Sequence, residues 1–124
     1  MPRFIHACLL VVVLAFVGFT AAHALDAAGL PKAVENAKTA ADHEAIAAYF
    51  DEQAKEARGT AAMHRQMSGT YKKRPPTSPK GGGSDTFGRQ MGEHCDDLVN
   101  KYEQVAKDYE AMAAAHRAQA KAAQ

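Results

Sequence analysis

Apolar residues are distributed along this chain in two different ways. Ile5 to Phe19 is almost entirely apolar, with Leu9-Leu10-Val11-Val12-Val13-Leu14 at its centre. Beyond it, apolar residues thin out and recur at seven-residue steps. Between 40 and 73, one set is His43, Phe50, Ala57, His64 and Tyr71, interleaved with Ile46, Gln53, Thr60 and Met67. Between 86 and 121, Cys95, Tyr102, Tyr109 and His116 alternate with Met91, Leu98, Val105 and Met112. Paired sets at this spacing mark the stripe that a coiled coil buries, so each stretch predicts a long helix with a seam for another helix. Gln53 and Thr60 weaken the first seam, and the second is cleaner.

The punctuation between these stretches sets their ends. Thr39 followed three residues later by Asp42 predicts a capping box, with Asp in place of the usual Glu, and a helix from Ala40 to about Lys73. Pro75-Pro76 ends it, because proline disfavours helical conformation in the residue before it. Residues from about 75 to 85, with Pro79 and Gly81-Gly82-Gly83, read as a loop, and a second helix runs from near Thr86 to about Lys121. Residues 25–38 form a lead-in, where Pro31 suits the first turn of a short helix. The expected fold is therefore all-α: a short N-terminal helix and then, over 39–124, a long antiparallel helical hairpin. Two helices alone make a thin core, which favours a homodimer closing into a four-helix bundle. A faint internal repeat at an offset of 52 accompanies the pattern, with Ala61-Ala62-Met63-His64-Arg65 echoed by Ala113-Ala114-Ala115-His116-Arg117.

The first apolar run has the parts of a secretory signal peptide: Arg3 ahead of it and the small-x-small triplet Ala22-His23-Ala24 behind. Cleavage after Ala24 predicts an exported, periplasmic product with no permanent membrane anchor, since the run is short for a spanning helix. Cys8 lies too early to be a lipoprotein attachment site. Export changes the inventory. The formal charge of +1 on the whole chain loses Arg3 and becomes neutral, which argues against nucleic acid as a partner. Lys72-Lys73-Arg74 sits at a helix end, where it complements the dipole. Cys95 becomes the sole cysteine after Ala24, so an internal disulfide is not available to it; burial, an intermolecular bond or a metal or partner remains.

The hairpin brings the candidate chemistry together. Setting the end of one helix at Lys73 opposite the start of the next at Thr86 places His43 level with His116, and His64 level with Cys95 beside His94. A loop-proximal candidate metal site follows, made of His64, His94, Cys95, Met67 and Met91, with Met63 nearby. A second, weaker site at the open end joins His43, His116 and Met112. The two lie roughly 31 Å apart along the helices at 1.5 Å per residue. Within each helix, His64 and Met67, Met91 and Cys95, and Met112 and His116 are three or four residues apart and so share a face. Imidazole with thioether and thiolate is a soft donor set that suits copper, and zinc less selectively. Asp42, Glu44, Glu93 and Asp96 are candidate partners for the histidines.

Packing alone also accounts for these residues: methionine fills core gaps, and a seam histidine hydrogen-bonds across a helix pair. No C-x-x-C-H, phosphate loop, G-x-S-x-G elbow or H-E-x-x-H is present. The expectation is a non-enzymatic exported protein that binds or buffers a soft metal. The alternative is a structural or adaptor module binding another envelope protein, with His and Met as packing residues. The strings Thr39-Ala-Ala-Asp-His-Glu-Ala-Ile-Ala-Ala-Tyr-Phe50, His94-Cys95 and Ala115-His116-Arg117 resemble those of an uncharacterised family of small exported α-helical proteins of Gram-negative bacteria. The resemblance spans most of 39–120 and implies export and helical structure, without an activity.

Overall fold

A computed structural model describes residues 24–73 and 86–124. The expected leader up to His23 and the Pro/Gly loop of 75–85 lie outside the described residues. The elements are α1 (Leu30–Asn36), α2 (Ala40–Lys73) and α3 (Thr86–Ala122), and the described residues contain no strand. No helix among the described residues is long and apolar enough to cross a membrane.

Local chemistry starts α1 and α2 where the sequence indicates. Pro31 stands in the first turn of α1, where an absent N–H costs nothing. At α2, the Asp42 carboxylate accepts from the backbone N–H of Thr39 (2.8 Å) and Lys38 (3.0 Å), and the Asp42 N–H donates to the Thr39 hydroxyl (3.1 Å). Asp therefore completes the reciprocal cap in place of Glu. These donors, the two backbone N–H groups first, hold the Asp42 carboxyl below its ordinary range.

α2 and α3 pack antiparallel along almost their whole length. His43 meets His116 at one end, Phe50 stacks on Tyr109 and His64 on Tyr102 in the middle, and Tyr71 meets Phe87 edge-on near the loop. The seam differs from the expected one in half of its positions. On α2, His43, Phe50, Ala57, His64 and Tyr71 do line it, but their interleaved partners are Ala47, Ala54, Ala61 and Ser68, all buried. On α3, the partners of Cys95, Tyr102, Tyr109 and His116 are Gly92, Ala106, Ala113 and Ala120, again buried. The sets Ile46/Gln53/Thr60/Met67 and Met91/Leu98/Val105/Met112 stand one residue away, on the flank. Alanine, serine and glycine allow the helix axes to approach where larger side chains would hold them apart. Lys72 lies across Gly92 so closely that a Cβ there would sit 2.7 Å from its Cγ. Ile46 is buried for another reason: α1 and the residues on either side of it lay Leu25, Leu30, Ala33 and Ala37 against the cluster of Ile46, Ala47, Phe50 and Ala113.

One edge of the seam is closed by charge. Arg58 binds Glu103 (3.0 Å) and Glu110 (2.5 Å), Arg65 reaches Glu103 (3.3 Å), Lys72 binds Asp96, and Arg117 binds Asp51 and approaches Glu44 (3.8 Å). Glu44, Asp51, Arg58, Arg65 and Lys72 form a seven-residue row on α2, and Asp96, Glu103, Glu110 and Arg117 form one on α3. Acidic residues at the open end of α2 meet Arg117, and basic residues toward its loop end meet acids on α3. That order matches only when the helices run in opposite directions. Each exposed pair is individually weak and screened by salt. Glu103→Lys/Glu110→Lys, which sets two lysines against Arg58 and Arg65, is expected to lower the melting temperature at low ionic strength, with most of the loss recovered at about 1 M salt. Thermal melts at the two salt levels read this directly.

Candidate metal centre

At the open end, His43 projects from the first turn of α2 and His116 from the last third of α3. Their Nδ1 atoms lie 3.1 Å apart, a hydrogen bond in which one ring donates its N–H and the other accepts. Both rings are part-buried, tilted at 35° to each other with centroids 5.4 Å apart. Phe50 stacks under His116 at 5.9 Å and 25°, fixing that ring from beneath. Burial first, and the neighbouring charge of His43 second, push the His116 pKa below its ordinary 6.5. His116 is thus biased to the neutral imidazole, the form that ligates metals. Met112, one turn earlier on α3, stands about half-exposed on the adjoining flank.

The loop-proximal residues are spread over more than one face. His64 and Cys95 belong to the seam. The Cys95 thiol is free and buried, and the His64 ring lies nearly parallel on Tyr102 (9°, 5.8 Å). His64 Nδ1 is buried without a hydrogen-bond partner, a state that costs free energy unless something supplies one. His94, one residue from Cys95 and so about 100° round the helix, is exposed. Met67 and Met91 are half-buried on the flank, and Met63 is exposed. Among the described residues, no three His, Cys, Asp or Glu side chains converge as a metal-holding group.

Three of the four carboxylates expected beside the histidines are engaged elsewhere. Asp42 caps α2, and Asp96 accepts from Ser68 (2.5 Å) and from Lys72. Glu44 faces Arg117, which also carries Asp51. The Asp51 and Asp96 carboxyls are both held below their ordinary value of 3.8, by Arg117 and by Lys72 with Ser68 respectively. The charged edge that claims these groups was missed in the sequence, although its seven-residue charge rows were there to find.

These four shifts each add a pH-dependent contribution to the stability of the fold. His116 binds a proton less readily folded than unfolded. Its contribution is therefore complete above 6.5 and is lost as pH falls from there toward its lowered folded value. Asp42, Asp51 and Asp96 contribute stability that is present above 3.8 and lost as pH falls through their lowered values. The melting temperature is expected to fall in two steps on acidification, and His116→Gln should lose the upper step only. Melts of the two proteins across the pH range check this.

No family model, curated protein or solved structure matches the chain.

Proposed function

We propose that this is an exported, non-enzymatic helical protein that binds or buffers a soft transition metal ion, copper foremost, in the periplasm. The observation that supports it most is the His43–His116 pair. Two nitrogen donors on a tetrahedral ion, each about 2.0–2.1 Å from it, stand roughly 3.3 Å apart. The 3.1 Å between these Nδ1 atoms is within a small ring adjustment of that spacing, and the ion takes the place of the shared proton, which the donating ring then carries on its Nε2. The open-end pair, the lesser candidate by sequence, therefore leads. Met112 is the soft third donor within reach of a rotamer change. Phe50 keeps one side of the site dry, which favours Cu(I), while zinc uses the same nitrogens with water completing its shell.

The loop-proximal group remains the second site of this proposal, with Cys95 and the unpartnered His64 Nδ1 as its inner donors, and Met67, Met91 and His94 as residues that would have to turn inward. Dimerisation into a four-helix bundle belongs to the same reading, because a single pair of helices buries few large side chains. An adaptor role for an envelope protein is the competing reading. The observation favouring it is the apolar flank carrying Met63, Val105 and Met112, each more than a third exposed.

Titration of the purified protein with Cu(I) and Zn(II) separates the two. Metal binding requires an affinity tighter than about micromolar, a marked loss in His43→Ala/His116→Ala, and a further loss when His64→Ala/His94→Ala is added. Absence of such binding, or equal affinity in all three proteins, leaves the adaptor reading.

A further inference from the structure

The two edges of the α2–α3 seam are chemically opposite, and the uncharged one carries a self-complementary pattern. One edge holds the ion pairs described above. The other presents Met91, Leu98, Val105 and Met112 of α3 beside Thr60, Met63 and Met67 of α2. On this edge, Met63 is 49% exposed, Met112 48% and Val105 38%, and shallow grooves run between the side chains, one of about 200 Å³ bounded by Thr60, Tyr102 and Val105. α1 covers the edge only at the open end, around Ile46 and Tyr49.

We infer that this uncovered edge is the contact face for a second copy of the chain, related by a two-fold axis that crosses α3 between Lys101 and Tyr102 and α2 near Met63. This rests on the dimer reading above and gives it a surface and a register. The α3 row reads Met-Leu-Val-Met at seven-residue steps. Rotation about that axis sets Met91 against Met112 of the second copy, and Leu98 against its Val105. A two-fold contact must be self-complementary in this way. The α3 axis carries across to α2 through His64, which stacks on Tyr102, and Arg65, which reaches Glu103, so Met63 lies within about one turn of the axis and close to its own copy.

In this register His94 comes level, within one residue, with Asp108 of the second copy, and Lys101 comes beside its own copy at the axis, where its long stem lets the ammonium turn out to solvent. The ion-paired edges stay on the outside of the bundle. The face extends about 31 Å from Met91 to Met112 and spans two helices whose axes are about 8–10 Å apart. That gives on the order of 600 Å² per copy, so about 1,200 Å² in total, the lower bound for a specific interface.

The mass in solution, measured by light scattering, is expected to be that of two chains. Val105→Glu should reduce it to one while circular dichroism still reports helix. In a Cys95→Ala background, Met63→Cys chains should link to each other under mild oxidation much faster than Lys55→Cys chains, whose cysteine lies on the far face of α2. A dimer that survives Val105→Glu, or Met63→Cys chains that link no faster than the Lys55→Cys control, overturns this face and register. A single-chain mass for the unsubstituted protein overturns the dimer itself.

Discussion

Phe50→Ala is expected to remove about 3–5 kcal/mol of stability, a large part of the roughly 5–15 kcal/mol that a domain commonly has. Phe50 is 7% exposed and is the ring on which the open end is assembled. It stacks on Tyr109 at 6.0 Å, on His116 at 5.9 Å, and meets Tyr49 edge-on at 5.5 Å. The residues that hold α1 rest on the same cluster. Its neighbours in the seam are mostly alanines, which cannot move inward to refill the space. Urea denaturation measures the loss, and hydrogen exchange should show α1 released along with it. A loss under about 1 kcal/mol would mean that the open end does not depend on this ring.

Ala106→Leu is expected to cost about 1–3 kcal/mol, whereas Val105→Ala next to it costs far less. Ala106 is fully buried, packed with Ala54 and Ala57 and flanked by Tyr102 and Tyr109. Three added carbons have no space there unless the helix axes separate, and separation would pull apart the small-residue contacts above and below. Val105 is over a third exposed in the single chain, so shortening it removes little packing when both substitutions are compared in a Leu98→Glu background that keeps the chains single. The contrast inverts what the hydrophobicity of the two residues suggests. Equal effects from the two substitutions would return the seam to the valine side.

The shift of one residue explains what the sequence made legible. Long helices, their caps and their antiparallel pairing follow from local chemistry: Thr39 with Asp42, Pro31, and heptad steps. The set His43/Phe50/Ala57/His64/Tyr71 with Cys95/Tyr102/Tyr109/His116 was identified correctly because large and polar seam residues stand out against alanine. Its interleaved partners were not. Choosing Met91, Leu98, Val105 and Met112 assumes that the larger apolar residue faces the partner, but in a chain this rich in alanine the closest approach goes to Gly92, Ala106 and Ala113. Burial by hydrophobicity and burial by size point to different faces here, and size decides. The charged rows, Glu44 to Lys72 and Asp96 to Arg117, carry the same information more directly. Their pairing fixes both the direction and the edge of contact.

The candidate site was legible to the same extent. Heptad positions are transmitted faithfully across the hairpin, so His43 and His116, 73 residues apart, meet. His94 does not join His64 and Cys95 because adjacent residues on a helix point about 100° apart, and sequence adjacency had placed it too near. Carboxylates near the histidines were recruited by arginine and lysine instead.

Metal binding at the open end depends on two distant imidazoles offering their Nδ1 atoms to one ion. Nitrogen-detected NMR of the histidine rings during Cu(I) addition tests this most directly. The Nδ1 resonances of His43 and His116 are expected to shift together and to saturate at one equivalent, with both rings in the tautomer protonated at Nε2. Saturation of the protein with copper while both rings keep their metal-free resonances, or a shift in one ring alone, would contradict it.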